Sequence, residues 1–425
     1  MTEWREVELG SGLAVHHGFA FKGEYFVDDG ELIVLTPGNF IESGGFKPKS
    51  GKEKYYDGPV DDRYLLSRGD VIVAMTEQAH GLLGSTATIP RDETYLHNQR
   101  IGLLEITDPA ILDLRFVYHL MNAPMVRHQI QATATGSKVR HTAPERIRAV
   151  VAPVPPTDQQ RVIAQVLDAI DDLIEINRRR VEVLEEMARA IYREWFVHFR
   201  FPGHEDATFV DSDLGPIPEG WHVLQLGSIA AAERTTVHPK DEPETWFDHC
   251  SIPAFDDGQL PAPEIGESIR SGKYAVTEAA VMVSKLNPRI PRTWFIEPTG
   301  SNPCVASTEF VILRPQGQRS LEWIFGTVTS STFEGRLTQL SGGTSGSHQR
   351  LRPAEMLAIE VIDPPQELVD RTTDTLGPAL AMSRRLREKS KQLAAIRDLL
   401  LPKLVTGKID VSDLDLDAVV EKAAV

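Results

Sequence analysis

Two stretches of the chain place apolar residues at alternating steps of four and three, which is the spacing of a helix that packs along another helix. The first stretch carries this pattern at Ile163, Leu167, Ile170, Ile174, Asn177, Val181, Leu184, Ala188, Ile191 and Trp195. Neither glycine nor proline occurs between Pro156 and Pro202. The pattern therefore predicts a long central helix within residues 156–205, a region that also contains a short linker.

A second stretch follows the same spacing near the end of the chain. Its positions are Leu368, Thr372, Thr375, Ala379, Met382, Leu386, Lys389, Leu393, Ile396 and Leu400. Gly377 and Pro378 interrupt it, and an interior proline kinks or restarts a helix. We expect a second long helix within residues 364–409, most regular after Pro378, and then a solvated acidic tail at 410–425.

Pairing the two helices antiparallel is the simplest way to bury both apolar seams. The residues expected to make this pairing are Ile170, Ile174, Asn177, Val181, Leu184, Met382, Leu386, Lys389 and Leu393. Asn177 is a polar residue within the seam. Either it is exposed or tolerated there, or it pairs with the other helix and sets the register of the two helices. The alternative to pairing is that each helix docks separately on its own domain.

The rest of the chain, residues 1–155 and 206–363, consists of short apolar or alternating runs between turn residues. Examples are residues 31–35, 70–74 and 280–284. Runs of this length between glycine, proline, asparagine and aspartate are typical of strands in a mixed α+β domain. We therefore predict an α+β fold with two globular domains, each followed by a long helix that belongs to a coiled coil.

Three landmarks recur in the same order in both halves. The spacing W-x-x-x-x-L-G begins at Trp4 and again at Trp221. A Gly-Ser pair at 136–137 and at 346–347 precedes an arginine three residues later, and a Pro-Pro pair at 155–156 and at 364–365 precedes each long helix. Matched landmarks at this separation predict an internal duplication, and hence a pseudo-two-fold repeat.

Composition narrows the class of protein. The chain has 425 residues, a formal net charge of -16, and two cysteines, Cys250 and Cys304, that lie far apart. We expect no disulfide framework, no zinc site, no membrane span and no secretion signal, and therefore a cytoplasmic location. An acidic balance repels DNA, so a DNA-binding protein of this composition must concentrate its lysine and arginine locally or have basic partners.

Several catalytic motifs are missing from the sequence. The patterns G-x-x-x-x-G-K-[ST], G-x-S-x-G and H-E-x-x-H do not occur. Residues 363–366 read DPPQ, similar to the D-P-P-[YF] motif of amino-methyltransferases, but glutamine replaces the aromatic residue that stacks on a flipped base. We therefore expect no enzyme activity, and an adenine methyltransferase acting alone is the alternative.

Residues that could read bases or bind phosphates gather in a few segments. Residues 127–148 and 336–352 are rich in arginine and occupy equivalent places in the repeat, although clusters of this kind are also common on ordinary solvated surfaces. Lys52 and Lys54 extend a third, lysine-rich segment. The predicted DNA-binding residues are Lys47, Lys49, Asn98, Gln99, Arg100, Lys138, Arg140, His141, Lys285, Asn287, Arg289, Arg292, His348, Gln349, Arg350 and Arg352.

The whole arrangement, to about Asp410, resembles the specificity subunits of type I restriction–modification systems. Residues 155–163 read PPTDQQRVI, similar to the family's entry to the central helix. Residues 190–199 read AIYREWFVHF, similar to its exit, and 214–221 read LGPIPEGW, similar to the lead-in to the second domain. Residues 397–409 read RDLLLPKLVTGKI, similar to the C-terminal signature.

The two recognition domains resemble different subtypes within the family. Residues 68–73 (RGDVIV) and 98–99 (NQ) match a recurring pattern of the first domain. In the second domain residues 278–280 read EAA in place of Gly-Asp, while 284–289 (SKLNPR) and 306–310 (ASTEF) are similar to another subtype. Unequal domains imply unequal half-sites in the DNA.

The resemblance implies a role for each part of the chain. Each globular domain would be a target-recognition domain that reads one part of a split, asymmetric sequence in double-stranded DNA. The helices would set the spacing and dock two modification subunits, and restriction subunits would join them. S-adenosylmethionine, ATP and Mg²⁺ would belong to those partners, so we expect no metal or cofactor on this chain. A coiled-coil scaffold with two protein-binding heads is the rival hypothesis.

Overall fold

A computed structural model describes residues 4–49, 51–77, 81–340 and 349–411. The described chain mixes helices and sheets, as predicted for an α+β protein. It forms two compact units. Unit 1 contains the residues up to 173 together with those from 392 onward, and unit 2 contains residues 174–391. His348, a predicted DNA-binding residue, and most of the predicted acidic tail lie outside the described residues.

The elements of unit 1 begin with strands. These are β1 (Arg5–Glu8), β2 (Leu13–His17), β3 (Phe26–Val27), β4 (Ile33–Val34), β5 (Tyr55–Tyr56), β6 (Leu65–Leu66), β7 (Val71–Ala74), β8 (Thr76–Glu77), β9 (Thr86–Thr88), β10 (Tyr95–Leu96), β11 (Ile101–Ile106), β12 (Arg140–His141) and β13 (Val151–Val154). The helices are α1 (Leu114–Asn122), α2 (Pro124–Ala132), α3 (Pro144–Arg148) and the start of α4 (Thr157–Tyr192).

The strands of unit 1 form two larger sheets, in the orders β3-β5-β4-β10-β6 and β2-β11-β7-β9. β1 pairs with β13, and β8 pairs with β12, both antiparallel. β7 has the sequence VIVA and is buried on both faces, which explains why it is an apolar run without alternation. Two of its residues, Ile72 and Ala74, pack with Leu35 and Ile101 in one apolar cluster. This cluster contains residues from both larger sheets.

Unit 2 contains the second set of strands. These are β14 (Phe209–Val210), β15 (Ile217–Pro218), β16 (His222–Gln225), β17 (Ala230–Glu233), β18 (Thr236–Val237), β19 (Trp246–Cys250), β20 (Ala262–Ile265), β21 (Lys273–Ala275), β22 (Ala280–Ser284), β23 (Thr293–Ile296), β24 (Cys304–Ala306), β25 (Phe310–Pro315) and β26 (Glu360–Asp363). Its helices are α5 (Leu226–Ile229), α6 (Ile252–Asp256), α7 (Leu321–Val328), α8 (Ser331–Leu340), α9 (Pro353–Leu357) and most of α10 (Gln366–Leu404).

Strand order repeats between the two units. The order β17-β25-β22-β23 in unit 2 matches β2-β11-β7-β9 in unit 1, and the pair β16-β26 matches β1-β13. The parallel pair β19-β24 likewise matches the parallel pair β4-β10. The extra edge strands differ, since β3 lies beside β5 in unit 1 whereas β18 lies beside β21 in unit 2. The predicted duplication is therefore confirmed at the level of strand order.

Two long helices were predicted, and both are present. α4 has 36 residues and continues into a π-helical turn at Arg193–Val197. α10 has 39 residues and is continuous through Gly377 and Pro378, so the predicted interruption is wrong. Leu376 and Leu380, on either side of this pair, are buried in the structure. Their burial offsets the cost of an interior proline, which is about 3 kcal/mol.

The core of unit 1 contains residues from both long helices. Ile163 and Leu167 of α4 lie in the same apolar cluster as Leu401 and Leu404 of α10. The core strands and helices of the unit, including Phe116 of α1, complete this cluster. Nearby, the Arg397 guanidinium donates to Asp171 at 2.9 Å. The end of α10 is therefore part of the core of unit 1.

The core of unit 2 is built in the same way with the helices exchanged. Tyr192 and Phe196, at the end of α4 and in the π-helical turn, cluster with Leu368 and Val369 at the start of α10. The Tyr192 hydroxyl donates to Thr327 of α7 at 3.1 Å. Arg387 of α10 forms an ion pair with Glu185 of α4.

The buried line along α10 is out of phase with the predicted seam. Met382 is 46% exposed and Lys389 is exposed, so their assignment to the seam is wrong, whereas Leu386 is buried and Leu393 half-buried. Burial instead follows Thr372, Leu376, Leu380, Ser383 and Leu386. The phase slips because the chain buries the two leucines around Pro378 rather than Thr375 and Ala379. On α4, Asn177 and Val181 are buried, and Ile170, Ile174 and Leu184 are half-buried.

A half-buried carboxylate fixes the first part of α4 to α1. Asp168 accepts hydrogen bonds from His119 Nε2 at 2.8 Å and Arg115 Nε at 3.0 Å. Burial alone would raise the pKa of Asp168, but the hydrogen bonds from His119 and Arg115 outweigh it and hold that pKa below its usual range. A carboxyl group with a lowered pKa stabilises the fold above the pKa of the unfolded chain, about 4, and this stabilisation is lost as the pH falls.

Asp168→Asn tests this cluster. We expect a loss of about 1–3 kcal/mol in the free energy of unfolding of unit 1 at pH 7, because hydrogen bonds to a charged group are lost. The difference from the wild type should shrink as the pH falls below about 4, where Asp168 of the unfolded chain takes up a proton, and should disappear below the lowered pKa of the folded carboxyl. Urea unfolding at a series of pH values measures it. Asp374→Asn, an exposed carboxylate on α10, is the control and should change stability by less than about 0.5 kcal/mol.

Candidate nucleic-acid interface

A cleft in unit 1 brings together several predicted DNA-binding residues. Its volume is about 190 Å³, and it is lined by Ala20, Phe21, Phe26, Val34, Thr36, Lys54, Asn98, Gln99 and Arg100. The parallel pairing of β4 with β10 places residues near 34 beside residues near 98. Asn98, Gln99 and Arg100, predicted from the sequence, thus lie next to Lys54 of the lysine-rich segment.

The backbone around residue 98 is held by a close approach of two chain segments. The Phe19 N–H donates to the His97 carbonyl at 2.8 Å, and the Gln99 N–H donates to the Phe19 carbonyl at 3.0 Å. A Cβ at Gly18 would lie 2.3 Å from the Asn98 carbonyl oxygen, so only glycine fits there. These contacts fix the Asn98–Arg100 backbone while the side chains of Gln99 and Arg100 stay exposed.

The predicted lysines Lys47 and Lys49 lie on a loop beside the cleft, and Lys49 is hydrogen-bonded to Thr36 of its lining. Lys49 Nζ donates to Thr36 Oγ1 at 2.6 Å, and the Thr36 hydroxyl in turn donates to Asn39 Oδ1 at 3.1 Å. Burial and the neighbouring cations Lys54 and Lys47 lower the pKa of Lys49. Lys47 and Lys54 are exposed. Lys49 is therefore close enough to both of the other lysines to be repelled by them.

These cations are not neutralised within the described part of the chain. Lys47, Lys49, Lys54 and Arg100 have no carboxylate within 4.0 Å there, whereas arginines elsewhere often do. Lys54 lies 5.9 Å from the centre of the Phe26 ring. A local excess of cations in a chain of net charge -16 fits the expectation that basic residues are concentrated in one place.

Aromatic rings flank the cleft. The Phe21 ring packs edge to face with the rings of Tyr56 and Phe19, with ring centres 4.9 and 5.3 Å apart. The ring centres of Phe19 and Tyr64 are 5.2 Å apart. Phe19 is 38% exposed. Sequence reasoning missed Phe21, Phe26 and Thr36. Nothing in their local sequence marks them, since the strand pairing that gathers them joins residues more than 60 positions apart.

The second predicted segment of unit 1 is partly structural. Arg140 forms an ion pair with Glu77 at 3.3 Å, and the Glu77 side chain is only 2% exposed. His141 Nδ1 lies 3.1 Å from Thr76 Oγ1. The charge of Arg140 is therefore used inside the protein, which weakens the prediction that it binds DNA. Lys138 is exposed.

Arg127 ties residues 81–83 to the backbone at Glu42. It is buried, and it donates to the carbonyls of Leu83 and Glu42 at 2.9 Å each, and also to that of Gly81. Burial lowers its pKa, although the carboxylates of Glu42 and Glu77 act in the opposite direction. A planar guanidinium with several donors suits this arrangement of carbonyls better than an ammonium does.

In unit 2 the structure joins two predicted segments. Leu286 forms a β-bridge with Arg350, and the Asn287 N–H donates to the Gln349 carbonyl at 2.9 Å. Asn287 has φ of 49°, a left-handed conformation that asparagine tolerates better than most residues. Lys285, Asn287, Gln349 and Arg350 are therefore neighbours, and this bridge corresponds to the pairing of β12 with β8 in unit 1.

Two arginines of unit 2 are neutralised. Arg292 forms a bidentate pair with Asp256 at 2.7 and 2.8 Å, which makes it a structural residue and does not support the prediction that it contacts DNA. Arg350 pairs with Glu309 at 2.8 Å.

Two further predicted residues of unit 2 lie at the surface. Arg352 is exposed, and its N–H donates to the Glu355 carboxylate at 2.9 Å at the start of α9. Arg289 is also exposed.

Other types of site find no support in the described ranges. No group of three or more His, Cys, Asp or Glu side chains in them could hold a metal ion. No helix within them is long and apolar enough to cross a membrane. The chemistry on these faces is that of cations, amides and aromatic rings, which suits binding to nucleic acid.

Comparison with known proteins agrees with this chemistry. The family described as "Type I restriction modification DNA specificity domain" matches residues 1–186. The MjaIX type I restriction enzyme specificity subunit of Methanocaldococcus jannaschii is 24% identical over 307 residues, covering 70% of each chain. The EcoBI specificity subunit of Escherichia coli is 24% identical over 270 residues, covering 60% of this chain and 54% of that one.

A solved structure shares the fold. The type I restriction–modification S subunit of Mycoplasma genitalium superposes with a TM-score of 0.58 and 14% identity. The superposition covers 95% of this chain and 96% of that one.

Arg127→Lys tests the loop support. An ammonium cannot reach all three carbonyls, so we expect the free energy of unfolding to fall by about 3 kcal/mol, since buried acceptors lose their donors. Urea unfolding measures this change. Arg91→Lys, at an exposed position, is the control, and an equal effect of the two substitutions would contradict the assigned role.

Proposed function

We propose that the chain is a type I restriction–modification specificity subunit, since residues 1–186 match the DNA specificity domain of that family, and that it selects the DNA site for a multisubunit modification and restriction complex. Members of the family recognise DNA sequence and are not the catalytic subunits, so the chain is not an enzyme. One observation carries the proposal furthest. The two units share a strand order but present different side chains at the equivalent faces.

Each unit would read one part of a bipartite, asymmetric site. Amide side chains and arginines can contact base edges in the major groove, while lysines and hydroxyls mainly contact phosphates. Gln99 in unit 1 and Asn287 in unit 2 are the best-placed candidates for base contacts. Because these residues differ between the units, the two parts of the site would differ as well.

The long helices would form an antiparallel strut that sets the distance between the two readers. Two ion pairs support this arrangement. Asp171 pairs with Arg397, and further along α4 Glu185 pairs with Arg387, so residue numbers rise along one helix as they fall along the other. A rigid strut would fix half-site spacing in the way that dimer geometry does in other DNA-binding proteins.

The same helices would dock two modification subunits. Apolar side chains remain exposed on α4 at Ile176, Val183 and Met187, and on α10 at Ile396 and Leu399. Exposed apolar residues at helical spacing suit a protein interface. Restriction subunits would join this complex, and S-adenosylmethionine, ATP and Mg²⁺ would be bound by the partners.

The two rival functions make different predictions. A scaffold with two protein-binding heads would give no DNA protection even with modification subunits present. The cations of unit 1 that lack carboxylate partners favour DNA over this alternative. A methyltransferase acting alone would bind S-adenosylmethionine as the isolated chain, which calorimetry measures.

Gln99→Ala and Asn287→Gly test bipartite reading, and glycine tolerates the positive φ of residue 287. In cells that make the complete complex, each substitution should relax one part of the methylated motif only, because a lost base contact costs about 1–3 kcal/mol of discrimination. Sequencing of methylated genomic sites gives the motif. Gln316→Ala, exposed in a turn of unit 2, is the control. Relaxation of both parts by either substitution would contradict the assignment of one reader to each part.

Asn177→Leu tests the strut. The Asn177 side chain is buried in α4, and its Nδ2 has no hydrogen-bond partner among the described residues. Removing this donor should raise the free energy of unfolding by about 1–2 kcal/mol and leave the methylated motif unchanged. A loss of stability would instead indicate that Asn177 sets the helix register, and a changed spacer would show that it affects the separation of the readers.

A further inference from the structure

We propose that the cleft in unit 1 is a binding site for DNA backbone phosphate, lined by Lys54 and Arg100 and flanked by Lys49, which is hydrogen-bonded to Thr36 of the lining, and by Lys47 of the same loop, and that unit 2 has an acidic residue at the equivalent place. The salt-dependent part of DNA binding then lies mainly in unit 1. This inference rests on the proposed function and assigns a task to residues that the family resemblance does not distinguish. We name these four residues the cationic cleft.

The position of Lys49 is built rather than incidental. Its ammonium has three N–H donors. One is directed at Thr36 Oγ1, and Thr36 is itself oriented by Asn39, which also receives the Thr36 N–H at 2.9 Å. Asn39 also donates to the Lys47 carbonyl at 3.3 Å, so the loop that carries both lysines is tied together. The remaining donors of Lys49 are available to an anion.

Gly38 makes room for this ammonium. A Cβ at Gly38 would lie 2.6 Å from Lys49 Nζ and 2.7 Å from Lys49 Cε. An alanine there would move the end of the lysine side chain without removing its charge, since the backbone at Gly38 is not in a left-handed conformation. The chain therefore offers a substitution that changes the geometry of the cleft and leaves its charge constant.

The described part of the protein supplies no negatively charged partner for the cations of the cleft. Lys49 is partly buried near two other lysines, an arrangement that costs free energy unless an anion offsets it. No carboxylate of the described chain lies within 4.0 Å of the four cations. A phosphate group presents several acceptor oxygens and one negative charge, which is the complement of such a cluster.

Unit 2 differs at the corresponding position. Arg100 directly precedes β11, and Glu309 directly precedes the equivalent strand β25. Glu309 holds Arg350 by an ion pair, and Asp256 holds Arg292. The repeat has therefore replaced a free cation by an acid, and the acids neutralise two arginines. Phosphate affinity should be lower there than at the cationic cleft.

The main test is the salt dependence of DNA binding by the full chain with its modification subunits. The probes are a duplex of about 30 base pairs that carries the methylated motif and a scrambled duplex of equal length, with KCl from about 50 to 200 mM. For Lys47→Ala/Lys54→Ala we expect the slope of log K against log[KCl] to become less steep by about 1.8, since each lost phosphate contact contributes about 0.9. Preference for the motif should be retained.

Arg68→Ala/Arg91→Ala is the matched control. It removes the same number of exposed charges from unit 1. Arg68 precedes the first residue of β7, whereas Arg100 lies near the last residue of that strand, because its neighbour Ile101 pairs with Ala74. Arg68 is therefore at the opposite end of β7 from the cleft. The slope should stay at the wild-type value. Equal slopes for this variant and Lys47→Ala/Lys54→Ala would overturn the phosphate site.

Two further variants separate geometry from charge. Gly38→Ala should weaken binding to both duplexes by a similar factor although no charge is lost. Glu309→Gln frees Arg350 and should make the slope steeper by up to about 0.9.

If Lys47→Ala/Lys54→Ala removes the preference for the motif while the slope stays constant, the cleft reads bases and the phosphate assignment is wrong. If the wild-type complex does not prefer the motif at all, the proposed function itself fails.

Discussion

The burial of leucines from the end of α10 in the core of unit 1 is the interaction on which the rest of the structure depends. Leu401 and Leu404 share a cluster with Ile163 and Leu167, although more than 230 residues separate them along the chain. Unit 2 is built in the same way by Tyr192 and Phe196 from the other long helix. Unit 1 is therefore not a continuous piece of the sequence, whereas unit 2 is, and the core of each contains residues from both long helices.

Much of this architecture could be predicted from the sequence because it rests on local periodicity. The heptad spacing and the lack of glycine and proline identify α4, and the repeated landmarks identify the duplication. The phase of α10 could not be predicted in the same way. Around Gly377 and Pro378 two alternative apolar lines exist, and only packing within unit 2 selects one of them, which places Leu380 in its apolar cluster and buries Leu376.

The candidate site was predictable in its residue types but less so in their roles. Cations and amides at Lys47, Lys49 and Asn98–Arg100 were identified because base and phosphate contacts require those side chains. Which cations are free depends on carboxylates distant in sequence. Glu77 is 63 residues from Arg140, and Asp256 is 36 residues from Arg292. Such pairings follow from strand and loop packing, which local sequence does not reveal.

Hydrogen exchange of the full chain carrying Leu401→Asp and Leu404→Asp tests the shared core most directly. Buried charges at these positions should expose the core of unit 1. The account predicts loss of amide protection in α1, α2 and the first turns of α4, with the protection of β22 and β25 in unit 2 unchanged. Protection in unit 1 equal to that of the wild type would show that the first repeat closes its own core, and would contradict the account.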